Sequence, residues 1–139
     1  MTFTIEQLTE LLRSKLAAAN AGSSRVDIFV GEATPTLDSD KLAHPYIVLY
    51  PSPGLERRTE EDLQASPGVL DWQCQATCAG GDYQRALRAL DRLQSVVLGQ
   101  SLAPETGFIR KEGNLGPIRK DLSVTPNRWY VPVDLVMEA

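Results

Sequence analysis

The first hydrophobic positions of the chain recur at helical spacing and lie between helix start and stop signals. Thr4 and Gln7, three positions apart, form the pattern of a capping box. Asn20 and Gly22 are residue types that commonly end helices. The apolar positions between these signals are Ile5, Leu8, Leu11, Leu12 and Leu16. This pattern predicts one amphipathic helix with a single buried stripe.

Three segments that follow are predicted to be strands. Residues 25–30 form a short candidate, and residues 46–50 are apolar on both faces, which indicates a place inside a sheet. Residues 69–79 alternate most clearly. One face would carry Leu70, Trp72, Cys74, Ala76 and Cys78, and the other Asp71, Gln73, Gln75 and Thr77. We expect the apolar face to pack on helices and the polar face to meet water or another subunit.

A second helix and a last strand complete the pattern. Asp82 follows Gly80 and Gly81 and is a good N-cap, and Gly99 stands where a helix commonly ends. The apolar stripe between them consists of Tyr83, Ala86, Leu87, Leu90, Leu93 and Val97. Residues 129–138 alternate again, and Pro132 within them indicates an edge position or a bulge.

The order of these elements predicts an α+β fold, in which one mixed or antiparallel sheet packs against two helices. The length of 139 residues fits a single domain that spans 1–139. Residues 51–68 are rich in proline, glycine and charge, so we predict a long exposed loop there. Loops of this length are usually functional or disordered.

Composition and charge narrow the classes of protein. Hydrophobic residues make up 42% and charged residues 23%, which is ordinary for a globular protein. With 14 basic and 18 acidic residues the net charge is −4, so no general attraction to nucleic acid or anionic membrane is expected. No apolar run is long enough to span a bilayer, and the N-terminus lacks the pattern of a signal peptide. We therefore expect the protein to stay in the cytosol where it is made.

Candidate catalytic or metal-binding residues are few. The single histidine, His44, precedes Pro45 and is interpreted as structural. Cys74 and Cys78 would lie about 13 Å apart in a straight strand, which is too far for a disulfide. We interpret both as small buried hydrophobes rather than as nucleophiles or metal ligands. The chain is accordingly predicted not to be an enzyme.

Three other charged or glycine-rich features have simple interpretations. Gly80-Gly81 lacks the spacing of a phosphate-binding loop and is read as a tight turn. The carboxylates of Glu60, Glu61 and Asp62 follow Arg57 and Arg58, and this mixed cluster suits a solvated contact surface better than acid–base catalysis. The basic residues of the C-terminal third are interpreted as scattered solvated charge, with a DNA-contacting patch as the alternative; they are Arg110, Lys111, Arg119, Lys120 and Arg128.

Four segments together resemble the tail terminator (tail completion) proteins of long-tailed bacteriophages. They are the helix and strand TIEQLTELLRSKLAAA and RVDIFVG, the apolar strand PYIVLYPSPG, the unit WQCQATCAGGDYQRALRALDRLQSVVLG, and the last strand RWYVPVDLVME. The third segment is the most distinctive, since a strand with alternating glutamines and small residues leads through a glycine turn into a helix that ends in glycine. The resemblance covers nearly the whole chain and includes no motif for catalysis.

The resemblance implies a virion structural protein at the neck end of the tail, assembled in the host cytoplasm. Proteins of this kind form a ring, generally a homohexamer, that caps the tail tube and stops its polymerisation. The ring also provides the surface for head–tail joining, so the implied partners are other copies of the chain, the tail tube protein and the connector. No catalytic residue, metal or cofactor is implied, and contact with DNA in the lumen stays open.

Two surfaces are candidates for the contacts of such a ring, on the basis of this sequence itself. The first is the charged loop, and the second is the polar face of strand 69–79. The candidate interface residues are Leu55, Glu56, Arg57, Arg58, Glu60, Glu61, Asp62, Gln73, Gln75 and Thr77.

Two alternatives remain beside the terminator. One is another neck component, such as a head-completion or connector-adaptor protein. The other, from a different class, is a small α+β enzyme or ligand-binding domain that uses His44 or a cysteine.

Overall fold

The computed structural model describes residues 4–21, 24–51, 55–56, 70–104, 106–112, 116–123 and 128–138. In chain order its elements are α1 (Ile5–Ala18), β1 (Asp27–Val30), β2 (Tyr46–Pro51), β3 (Leu55–Glu56), β4 (Leu70–Gly80), α2 (Tyr83–Val97), β5 (Arg110–Lys111), β6 (Arg119–Asp121) and β7 (Arg128–Glu138). The predicted α+β fold, with one mixed sheet and two helices, is confirmed. Neither described helix combines the length and the apolar character needed to cross a bilayer.

The start of α1 is held as the sequence predicts. The Thr4 hydroxyl accepts from the Gln7 backbone N–H over 3.1 Å, and the Gln7 side chain accepts from the Thr4 N–H over 2.9 Å. This reciprocal pair satisfies two of the donors that a helix leaves unpaired at its first turn. Leu8, Leu12 and Leu16 of the predicted stripe are fully buried and Ile5 is half-buried, so they form the inner face of the helix. Leu11, the remaining member of the predicted stripe, is 37% exposed.

Within the described residues, seven strands form the sheet in the order β1-β2-β4-β7-β5, with β3 beside β4 and β6 beside β7. β1 runs parallel to β2, and every other pairing is antiparallel. The long strands β4 and β7 form the centre and pair over their whole length, from Asp71 with Glu138 to Gly80 with Trp129. β1 therefore lies at one edge of the sheet, and β5 and β6 lie at the other.

Both helices cover the same face of the sheet. The side chains of β4 on that face, from Trp72 to Cys78, are buried in one cluster with the stripes of α1 and α2. A smaller cluster lies on the opposite face, where Tyr46, Val48 and Ala79 are buried with Ala43. Ala43 belongs to the loop 31–45, so this loop covers the end of the second face at which Tyr46, Val48 and Ala79 lie.

The turn from β4 into α2 follows the predicted pattern closely. The Asp82 carboxylate caps the helix by accepting from the Arg85 backbone N–H over 2.8 Å. Gly99 has φ +78°, a conformation that favours glycine, and its N–H donates to the Ile109 carbonyl over 2.9 Å. The predicted stripe is partly wrong, since Tyr83 and Leu87 are 50% and 37% exposed. Ala86, Leu93 and Val97 of the predicted stripe are buried, and Ala89, which the prediction did not include, is buried with them.

Three short strands escape the sequence patterns. β3 lies within the stretch predicted to be loop, and it pairs through the backbone with Leu70 and Asp71. β5 and β6 pair with the two ends of β7. Pro132 lies between the parts of β7 that pair with β5 and with β6. No described strand pairs with β7 at Pro132 on that side, so a residue without an N–H is accommodated there. Strands of two or three residues have too little alternation to recognise in advance.

Candidate assembly surfaces

The residues considered for nucleophilic chemistry are placed where they cannot easily ionise. Cys74 and Cys78 are free and buried on the helix-covered face of β4. Burial raises the pKa of the Cys74 thiol to about 12, although a backbone hydrogen bond at Tyr50 opposes the shift, and burial also raises the pKa of Cys78. Both cysteines are therefore small buried hydrophobes, as predicted.

Backbone hydrogen bonds of His44 and Gly81 hold the loop 31–45. The backbone N–H of His44 donates to the Thr36 carbonyl over 3.0 Å and closes the loop 31–45. The Gly81 N–H donates to the Ala43 carbonyl over the same distance. Among the residues that the structure describes, no group of three or more His, Cys, Asp or Glu side chains could hold a metal ion.

The face of the sheet opposite the helices carries the predicted polar residues of β4, and we call it the open face. Gln73 is half-buried and Gln75 is exposed, whereas Thr77 is buried at 7% exposure. Thr77 is paired with Val48 on one side and Pro132 on the other, next to the second cluster. Its side chain therefore has little surface left for a partner, unlike Gln75.

A shallow depression of about 250 Å³ lies at the exposed end of the open face. Tyr50, Gln73, Gln75 and Asp134 line it, with Val136 at its floor. Cross-strand pairing positions these side chains, because Gln75 is opposite Tyr50 on one side and Asp134 on the other. Cys74, Glu112 and Leu135 complete its described lining. Its polar hydrogen-bonding groups suit contact with another protein.

The charged loop falls mostly outside the described residues. Leu55 and Glu56 are described as β3, whose backbone pairs with the start of β4. The predicted interface positions Arg57, Arg58, Glu60, Glu61 and Asp62 lie outside the described residues.

The fold gathers four basic residues that the sequence interpretation treated as scattered. Arg110 and Lys111 form β5, and Arg119 and Lys120 form most of β6, so all four lie at one edge of the sheet. We call these four residues the basic edge. Arg128 is separate from them in role, since it donates to Asp121 and to the Tyr46 hydroxyl, each over 3.3 Å.

A groove lies beside α1, near the edge of the sheet opposite the basic edge. Its volume is about 580 Å³, and its described lining is Ile5, Glu6, Thr9, Glu10, Val30 and Pro51. We call it the α1 groove. Val30 and Pro51 are the last residues of β1 and β2, and the helix supplies the remaining wall. No sequence signal indicated it, because its walls come from three separate elements.

Comparison with known proteins adds no relative to this geometry. No protein-family model matches the chain, and no curated protein matches it. The function therefore has to be inferred from the surfaces themselves.

Proposed function

We propose that the chain is the structural subunit of a phage tail terminator, a ring that caps the tail tube and ends its growth. The ring, a homohexamer in this proposal, also provides the surface on which the head–tail connector docks. It works at the neck end of the virion tail after assembly in the host cytoplasm, and it performs no catalysis.

The observation that supports this proposal is the one-sided construction of the sheet. Both described helices cover one face, while the open face presents exposed Tyr50, Gln75 and Asp134 from three neighbouring strands. A rigid sheet with one solvated face is a suitable platform for protein contact, because its side chains are fixed by cross-strand neighbours. An assembly subunit needs such a platform, whereas an enzyme needs a convergent group of reactive side chains.

The proposal is tested first by the size of the purified protein. Size exclusion with light scattering should show a closed oligomer, or one that forms as concentration rises. A chain that stays monomeric throughout would contradict the ring.

The second test is microscopy of tails assembled without this protein. Tubes of unregulated length are expected for a terminator, since nothing would then stop polymerisation. Tails of normal length that lack heads would contradict termination and support a connector-adaptor instead. Adding the purified protein back provides the matched control, because it should restore both tail length and joining.

A further inference from the structure

We propose that the basic edge of one copy of this chain docks in the α1 groove of the next copy. This inference rests on the proposed ring and names the two surfaces that would close it. The two surfaces complement each other in charge and in exposed apolar side chains.

The basic edge is a concentration of positive charge that has no partner within the described chain. Arg110, Lys111, Arg119 and Lys120 are all exposed, and none forms an ion pair with a described residue. By contrast, several other arginines are paired with carboxylates: Arg13 with Glu10, Arg25 with Asp27 and Arg85 with Asp38. Lys41 and Arg88 also lack an ion pair with a described residue, but they belong to the loop 31–45 and to α2. Four unpaired cations therefore share one edge of the sheet in a protein of net charge −4.

Large apolar side chains flank this edge. Phe108, two residues before β5, is 70% exposed, and Leu122, directly after β6, is 69% exposed. Both are much more exposed than the other large hydrophobic side chains that the structure describes. Apolar side chains beside an open strand edge are typical of a protein contact, since burial there removes apolar surface from water.

The α1 groove carries the opposite charge and, like the basic edge, exposes apolar surface. Glu6 and Glu10 lie on its helical wall, and Glu6 forms no ion pair with any described residue. Val30 is 45% exposed at the end of β1, so the groove also offers apolar surface. Carboxylates around an apolar depression can receive a basic edge with flanking Phe and Leu side chains.

The positions of the two surfaces suit a head-to-tail arrangement. The groove lies by the ends of β1 and β2, and the basic edge lies beyond β7 at the opposite end of the sheet order. Two different surfaces at opposite ends of one subunit generate a heterologous contact, which forms a ring when the rotation closes. A second copy of this chain therefore fits the basic edge better than nucleic acid does. Nucleic acid could pair with the basic side chains, but it would bury neither Leu122 nor the apolar surface of the α1 groove.

The test uses charge reversal at exposed positions of the full chain. The edge variant is Lys111→Glu with Lys120→Glu, and the groove variant is Glu6→Lys. Each should raise the concentration at which the oligomer forms by roughly tenfold or more, because like charges then meet across the contact. Arg88→Glu and Asp91→Lys are matched controls at exposed positions of α2 and should assemble like the parent chain.

Mixing the two variants gives the sharper result. Each variant keeps one intact surface, so the edge of the groove variant can still enter the groove of the edge variant. The two altered surfaces carry reversed charges of opposite sign, so they can pair with each other as well. An equimolar mixture should therefore recover the oligomer at a concentration where neither variant forms it alone, and a mixture that stays unassembled would contradict the assigned contact. Light scattering on the mixture and on each variant measures this directly, and thermal melting confirms that the variants fold.

The outcomes separate this inference from the proposed function. If the parent chain forms rings and both variants do so equally well, the assigned contact is wrong while the ring stands. If the edge variant assembles normally but loses binding to duplex DNA in fluorescence anisotropy, the edge is a polyanion site and the inference is overturned. If the parent chain never assembles, the proposed function fails, and the inference fails with it.

Discussion

Arg85, in the first turn of α2, donates from Nε to Asp38 Oδ2 over 2.8 Å and joins the helix to the loop 31–45. The same guanidinium donates to Asp82 Oδ2 over 2.5 Å, so the helix cap and the loop share one cation. Asp38 Oδ1 accepts from the Leu42 and Asp40 backbone N–H groups. This arrangement holds the loop against the sheet, where it covers the second cluster.

Asp38→Asn should make the protein less stable at neutral pH and reduce its loss of stability in acid. Desolvation raises the pKa of Asp38, but the hydrogen bonds from Leu42, Arg85 and Asp40 outweigh it, and the pKa is lowered in the folded state. A lowered folded pKa contributes stability above the unfolded value of about 4 that is lost as the pH falls through the folded value. Urea unfolding from pH 7 to pH 2 measures this difference.

The Asn side chain keeps an acceptor for the two backbone donors, so the variant removes only the charge and the Oδ2 acceptor that faces Arg85. Asp40→Asn is the matched control, because Asp40 is 73% exposed and lies 3.4 Å from Arg85. Its pH dependence should follow the parent chain. An unchanged acid profile for Asp38→Asn would show that the Arg85 contact does not stabilise the fold.

Gly81→Ala should destabilise the protein by about 1–3 kcal/mol, as overpacking does elsewhere. A Cβ there would lie 2.5 Å from the Ala43 backbone nitrogen and 2.7 Å from Leu42 Cβ. The clash is with backbone, so it cannot be relieved by rotating a side chain. Gly116→Ala, where a Cβ meets no atom within 4 Å, is the control and should stay within about 0.5 kcal/mol in denaturant titrations. Equal effects at both positions would contradict the close approach.

Asn20→Ala should cost roughly 1–3 kcal/mol of unfolding free energy, since it leaves polar groups unpaired. Asn20 Oδ1 accepts from the Val26 N–H over 3.0 Å and from Arg92 Nη1 over 2.7 Å, and its Nδ2 donates to the Val26 carbonyl over 2.9 Å. One amide thus links α1, the residue before β1, and α2. Gln84→Ala, at an exposed amide on α2, should change the free energy far less in the same chemical denaturation assay.

The two thiols should be nearly inert in the native protein. Because burial raises the pKa of Cys74 to about 12, its reaction with an aromatic disulfide reagent at pH 8 should be at least about 100-fold slower than in urea. Cys78, which is also buried, should behave in the same way. Rapid reaction of one thiol in the folded protein would favour the alternative of a nucleophilic cysteine.

Asp134→Arg should leave folding and self-assembly unchanged while it impairs tail completion. Asp134 is exposed on the open face beside Gln75, so the substitution places a large charge of opposite sign in the proposed contact. We expect roughly a tenfold loss of completed particles, the size typical of a disrupted interface position. Complementation of a strain that lacks the protein measures this, with Asp91→Arg on α2 as the control. Full activity of Asp134→Arg would exclude the open face as a docking surface.

Much of the architecture follows from local patterns. The capping box at Thr4 and Gln7, the Asp82 cap and the Gly99 end are formed as predicted, because each depends on residues within a few positions. The alternation of β4 likewise predicts which side chains enter the core, since side chains of a strand point to opposite faces in turn.

The surfaces were much harder to predict. Thr77 belongs to the polar side of β4, yet it is buried because neighbouring strands and the loop 31–45 close around that end of the sheet. Tyr83 and Leu87 continue the apolar stripe of α2, yet they lie beyond the area that the sheet covers. In both cases burial depends on elements distant in sequence.

The sequence by itself determined the helices, the long strands and the burial of the cysteines, because periodicity and capping act over one or two turns of chain. Only the tertiary structure decided which charges stand together. Arg110 and Lys120 are brought to one edge by pairing with opposite ends of β7, and Glu6 and Val30 line the same groove because α1 packs beside β1. Long-range strand pairing and helix packing create both surfaces, and no local pattern encodes them.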